Sequence, residues 1–190
     1  MADGGEADDP APSVAARDDL AGVVDLFGSV TRAELSRALS ELAFKRRTEV
    51  DDAAIAAAID VGVAEYAIVP TPRSAVSVDG DPVDPTDPDD DSAGSDRDPT
   101  FLAVGPAAFP QLPEGAEDLP HILDVPDREV DREALSDAVL DRLSADAIDA
   151  INAGDTERLE TLADVTYDIE AWAPVDAEPI RERILAEIDG

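Results

Sequence analysis

Three consecutive cations, Lys45, Arg46 and Arg47, form the most chemically specific cluster in the sequence. The chain holds 14 basic residues against 46 acidic ones, so their concentration at one point calls for a reason. Together with Arg32 and Arg37 they are the candidate nucleic-acid contacts, because cations on one helix edge can neutralise phosphates and release counterions. The competing reason is electrostatics within the chain: cations at a helix C-terminus oppose the negative end of its dipole.

Other chemistry-bearing residues are thinner. His121 is the only histidine, and Asp124 and Asp127 beside it do not supply enough ligands for a metal or an acid–base site. Asp81, Asp84, Asp87 and Asp89 to Asp91 have the composition of a calcium loop but lack its central glycine and closing glutamate. Cysteine is absent, which removes thiolate ligands, thiol nucleophiles and disulfides. The sequence contains no glycine-rich phosphate loop, G-x-S-x-G elbow or H-E-x-x-H pair. Trp172 and Tyr167 read as core or interface anchors, since no basic groove accompanies them. These features predict a non-enzymatic chain with no catalytic, metal or cofactor-binding residue.

The elements that must position these residues are set in a formal charge of −32 over 190 residues. Such a charge opposes compaction in dilute buffer and becomes tolerable when molar salt shortens the Debye length to about 3 Å. Salt adaptation is the reading, rather than disorder throughout, because Leu, Ile and Val recur at helical spacing. No apolar run approaches the roughly 18 residues of a membrane span. Residues 1–17 have neither the basic nor the apolar region of a signal peptide, so a cytoplasmic protein with no membrane partner is expected.

Composition divides the chain into a disordered acidic tail at 1–17, a module at 18–105, a proline-rich strap at 106–128 and a C-terminal helical region at 129–190. Within the module, Leu20, Val23, Val24 and Phe27 share one helical face, and Gly28 follows where that helix should stop. Thr31-Arg32-Ala33-Glu34 is a capping box, and Leu35, Ala38, Leu39 and Leu42 form the stripe behind it. Asp51 or Asp52 can cap a third helix carrying Ile55, Ile59, Gly62 or Val63, and Tyr66. Tyr66 to Val69 and Phe101 to Val104 read as two strands of a hairpin. Between them, the segment 79–98 holds nine aspartates and almost nothing to bury, and is expected to be a disordered insertion.

In the strap, Phe109, Leu112, Leu119, Ile122, Leu123 and Val125 lie among five prolines and must find cover against the helices. Beyond it, Leu135, Val139 and Leu143 begin a helical stripe, Ser144 can cap a following turn, and Gly154 ends the pattern. Asp155 or Thr156 starts the next helix, and Pro179 to Ile188 makes a last one. The fold class is mainly α, formally α+β: a three-helix module with a small hairpin, plus C-terminal helices.

The stretch TRAELSRALSELAFKRRTEVDDAAIAAAIDVGVAEYAIV resembles the helix-turn-helix core of winged-helix proteins, with Thr31 opening the first motif helix and EYAIV running into the wing. The whole chain also resembles small uncharacterised haloarchaeal proteins. A winged helix implies a second motif helix laid in the major groove, which requires cations or amides on its outer face. Here that face carries Asp51, Asp52, Ala53, Ala56, Ala57, Asp60 and Glu65. The expected function is therefore an interaction or adaptor protein whose partner is another protein, with a DNA-binding regulator as the alternative.

Overall fold

A computed structural model describes residues 14–82 and 101–189. The first helix, α1 (Val14–Asp25), leads through a turn to β1 (Ser29–Thr31), then α2 (Arg32–Lys45) and α3 (Asp52–Ala64). Next come β2 (Ile68–Thr71), a 3-10 turn, β3 (Val76–Val78) and β4 (Asp81–Pro82). The chain resumes at β5 (Phe101–Val104) and continues through the short α4 (Leu119–Ile122) and β6 (Glu129–Val130) to α5 (Arg132–Ala153), α6 (Thr156–Trp172) and α7 (Glu178–Ile188). The fold is mainly helical with small antiparallel sheets.

Local chemistry explains most boundaries. Gly28 turns the chain after α1 at φ 68°, in the left-handed region, and Thr31 closes the capping box of α2: its hydroxyl accepts from the Glu34 N–H at 3.2 Å. Glu34 Oε2 accepts in return from the Thr31 N–H at 2.6 Å. The Asp51 carboxylate caps α3 by accepting from the Ala54 N–H at 2.7 Å. Between α5 and α6 only Gly154 and Asp155 intervene, Gly154 left-handed at φ 66° and Asp155 capping α6. Such a short connection brings the two helices back as neighbours.

The principal sheet has the order β1-β5-β2, with both pairs antiparallel. Its register places Leu102 between Val30 and Pro70, and Ala103 between Ser29 and Val69. Because side chains alternate along a strand, these rows face opposite ways. Val30, Ile68 and Leu102 join the core built by Leu20, Val24, Phe27, Leu35, Leu42 and Ile59 of the first three helices and their turns. Val69 and Ala103 join a second core, with Leu135, Leu143, Leu159, Leu162, Ile169 and Ile184 of α5 to α7. The sheet is thus the partition between two helical layers.

Several expectations change. The segment expected to be a tail at 1–17 contributes residues 14–17 to α1, while 1–13 lie outside the described residues. Residues 79–82 of the expected insertion form an ordered turn and strand: Asp79 and Gly80 both have positive φ, and β4 pairs antiparallel with β3. An Asp-Gly pair suits such a hairpin turn, and the rest of that insertion lies outside the described residues. β2 starts two residues later than the apolar run, because Tyr66 itself sits at φ 60° just past α3. Ser144 does not interrupt α5, whose stripe runs on through Ala147 and Ala150.

The chain from 106 to 128 crosses the module, but its apolar residues divide. Leu119 is buried and Leu123 and Val125 pack on the first core. Phe109, Leu112 and Ile122 remain exposed.

Candidate functional site

Polar contacts to the strap begin at Asp18, which is buried. Its carboxylate accepts from the Phe109 N–H at 3.0 Å and from Gln111 Nε2 at 3.4 Å, while its carbonyl accepts from the Gln111 N–H at 3.0 Å. Gly22 permits this approach, since an ideal Cβ there would lie 1.9 Å from the Gln111 carbonyl oxygen. Midway along the strap, Lys45 Nζ donates to the Gly115 carbonyl at 3.1 Å and pairs with Asp118 at 3.4 Å, and Arg46 Nε donates to the Glu114 carbonyl at 3.1 Å. Two members of the basic triplet therefore tie the end of α2 to the strap. The third, Arg47, is exposed at φ 56°.

Arg32 and Arg37 do not extend this group into one patch. Arg32 opens α2, about 20 Å along the helix from Lys45 at 1.5 Å per residue. Its guanidinium pairs with Asp60 and reaches the Ala56 carbonyl, so this cation is held by α3's own residues. Arg37 is exposed midway along α2. The outward face of α3 consists of Asp51, Asp52, Ala53, Ala54, Ala57, Ala58, Asp60 and Ala64, all exposed. Ala56 is half-buried, and Glu65 is half-buried against Arg17 at 2.9 Å.

Two polar joints that sequence reasoning did not find bind the layers together. Arg128 makes a bidentate pair with Glu34 at 2.8 and 2.9 Å, donates to the Ser29 carbonyl at 3.0 Å, and lies 4.9 Å from the centre of the Phe101 ring. The side chains are 8% and 11% exposed, so this pair is largely shielded from salt. The second joint surrounds Tyr66, whose hydroxyl donates to Asp146 at 2.8 Å. Arg142 lies 4.3 Å above the Tyr66 ring and donates to the Val63 carbonyl, while Arg158 donates to the Ala64 carbonyl and to Asp146. Burial, followed by the Asp146 carboxylate, pushes the Tyr66 hydroxyl well above the usual tyrosine range. Both arginines here oppose the carbonyl end of α3. The available signal was scarcity: with so few cations in so acidic a chain, each arginine between helices is a candidate brace.

A cleft of about 520 Å³ opens beside the second joint, lined by Ala64, Arg142, Asp146, Asp149 and Arg158 among others. Of its charged groups, Arg142, Asp146 and Arg158 already serve the joint and Asp155 caps α6, which leaves Asp149. A smaller cleft of about 150 Å³ lies against the sheet at Trp172. His121 is exposed in α4, and among the described residues no group of three or more His, Asp or Glu could hold a metal ion. Tyr167 is 55% exposed rather than an anchor in the core, with the Arg181 guanidinium 4.0 Å over its ring. Trp172 is half-buried against the second core. No described helix is long and apolar enough to cross a membrane.

Residues 18–189 match DUF7109, a family of unknown function. The chain belongs to that family. No curated protein and no solved structure matches it. The DUF7109 match begins within α1 and ends with α7, so it spans both helical layers, both arginine joints and the partition between them.

Proposed function

We propose that this DUF7109 chain is a non-enzymatic, salt-adapted interaction or adaptor protein of a haloarchaeal cytoplasm, in which a winged-helix-like module docks on another protein. Three helices followed by an antiparallel hairpin support the winged-helix resemblance. The observation that carries the choice of partner is the outer face of α3, which offers alanines and aspartates and beside which Arg32 is already paired with Asp60. Laying that face on a polyanion would bring like charges together without counterion release. Laying it on a protein buries small apolar side chains and costs no desolvated cation.

A photo-cross-linking residue at Ala57, introduced into the full chain in host cells, tests the reading. The expected adducts are sensitive to protease and resistant to nuclease. Nuclease-sensitive adducts would favour the DNA-binding alternative, for which Arg37, Arg46 and Arg47 are exposed. Under that alternative, Lys45, Arg46 and Arg47 changed together to Ala would abolish electrophoretic shifts of genomic DNA fragments. Under the protein reading, neither the wild type nor the triple variant shifts DNA.

A further inference from the structure

The helical period of α2 forces one large apolar side chain into water. At about 100° per residue, Phe44 lies opposite the buried stripe of Leu35, Ala38 and Leu42, and it is 78% exposed. Arg37, two turns earlier, shares that outward face and is also exposed. Arg47 ends the helix in the left-handed region at φ 56°, with its N–H bonded to the Phe44 carbonyl and the Thr48 N–H bonded to the Ala43 carbonyl. In such a turn glycine is the usual residue, because a Cβ is disfavoured there. The chain instead holds an arginine at that point, and neither its guanidinium nor that of Arg37 makes an ion pair or hydrogen bond with any described residue. Arg128, Arg142 and Arg158, by contrast, are taken up inside the fold.

A strained backbone kept for a cation without an internal partner points to a partner outside the chain. We propose that the outward face of α2 binds an acidic protein segment, in which an aromatic or aliphatic side chain covers Phe44 and flanking carboxylates pair with Arg37 and Arg47. Spacing sets the length of that segment. The two cations lie about 15 Å apart along the helix at 1.5 Å per residue, which an extended peptide spans in about five residues. Charge complementarity favours a peptide over a nucleic-acid strand, because the half-buried Glu41 lies on the same face between Arg37 and Phe44, and Glu49, Asp51 and Asp52 are exposed beyond Arg47. A strand with a phosphate at every nucleotide would bring like charges against these carboxylates, whereas a peptide carries its charges only where cations meet them. This face belongs to a different helix from the α3 face, and the proposal does not rest on the partner proposed for α3.

The test exposes the full-length protein to an array of peptides about ten residues long, each with one Phe or Leu flanked by aspartates, by serines or by lysines, in about 1 M KCl, where the Debye length is about 3 Å and only charges in contact count. Retention on the aspartate-flanked set above the other two is expected. For the tightest peptide, measured in solution by fluorescence anisotropy, Phe44→Ser should raise the dissociation constant about tenfold or more, and Arg37→Gln about threefold. Arg47→Gly separates binding from folding, since it should raise the melting temperature by removing the strain and yet weaken the peptide about threefold. All these positions are exposed, so circular dichroism of the variants should match the wild type. Ala57→Arg, on α3, should leave peptide affinity unchanged. An effect of Ala57→Arg equal to that of Phe44→Ser would place the peptide on α3 and overturn the proposal. No preference for aspartate-flanked peptides, an affinity that Phe44→Ser leaves unchanged, or tighter binding of single-stranded DNA than of any peptide on the array would each overturn it as well.

Discussion

The two faces of the three-stranded sheet are closed by different chemistry. Towards α1, α2 and α3 the contact is apolar, with Val30, Ile68 and Leu102 set among leucines, valines and Phe27. Towards α5, α6 and α7 an apolar centre at Val69 and Ala103 is rimmed by charge: Arg128 on Glu34 at one side, and Arg142 and Arg158 on Asp146 and the carbonyl end of α3 at the other. The difference teaches how a chain with so few cations distributes them. An apolar face needs none, whatever the net charge, whereas a joint crossed by loops and helix ends must satisfy buried carboxylates and carbonyls. Arg128, Arg142 and Arg158 sit at those points.

Cutting a brace should therefore cost at least as much as emptying the apolar side. Arg128→Ala leaves Glu34 buried without its counter-charge and should destabilise by about 3 to 5 kcal/mol. Replacing both partners, Glu34→Gln with Arg128→Met, should recover much of the loss, because the introduced amide oxygen still accepts from the Thr31 N–H and no charge is stranded. Denaturant unfolding of the two variants in high KCl measures the difference. A single variant as stable as wild type would show the joint to be dispensable. Leu35→Ala, at a fully buried position of the apolar face, should cost about 2 to 5 kcal/mol.

A smaller effect probes the other brace. Tyr66→Phe removes one donor from Asp146 but leaves Arg142 and Arg158 beside it, so the cost should be about 0.5 to 1.5 kcal/mol. Because the folded-state pKa of Tyr66 is raised, the folded protein holds this proton more tightly than the unfolded chain does. The contribution is fully present below the unfolded value of about 10 and is lost as pH rises through the folded one. In an alkaline ultraviolet titration, Tyr66→Phe should delete a late phenolate step. An unchanged titration would mean that the Tyr66 hydroxyl is not buried against Asp146.

Legibility followed the range of the interaction. Thr31 with Glu34, the Asp51 cap, the stripe of α2 and the Gly154 stop are written within a few residues, and each is readable because helix ends leave unpaired N–H and C=O groups that a nearby side chain must meet. The hairpin of β2 and β5 is readable as two apolar runs despite the long segment between them. The Glu34 and Arg128 pair is not, since the partners lie 94 residues apart and Glu34 already has a local role in the capping box. Leu39 reads as equal to its neighbours on the stripe but is only partly buried, because the helix turns that position towards the rim. The Asp79-Gly80 turn is hidden by the aspartates that follow it. The Trp172 cleft has no sequence signal, because its residues come from three helix ends and the sheet.

The smallest effect belongs to a carboxylate that no arginine braces. Asp168 lies on α6, and its pKa is raised, first by burial and then by repulsion from Asp164 one turn earlier. The folded state therefore binds this proton more tightly than the unfolded chain does, so the side chain favours folding below the ordinary carboxylate range and loses that contribution as pH rises through the raised value. At neutral pH the ionised carboxylate works against the fold. Asp168→Asn removes the charge while keeping the shape, and should stabilise the fold at pH 7 by up to about 0.5 kcal/mol, the usual range for such substitutions near the surface, read as a higher melting temperature. The gain should shrink as pH falls through the raised value and be gone below about 4, where the wild-type carboxyl is protonated in both states. Raising KCl should reduce the part due to Asp164, which is screened, and leave the part due to burial. A gain equal at acid and neutral pH would trace the effect to packing instead, and would weaken the case that unbraced charge is what separates the two sides of the sheet.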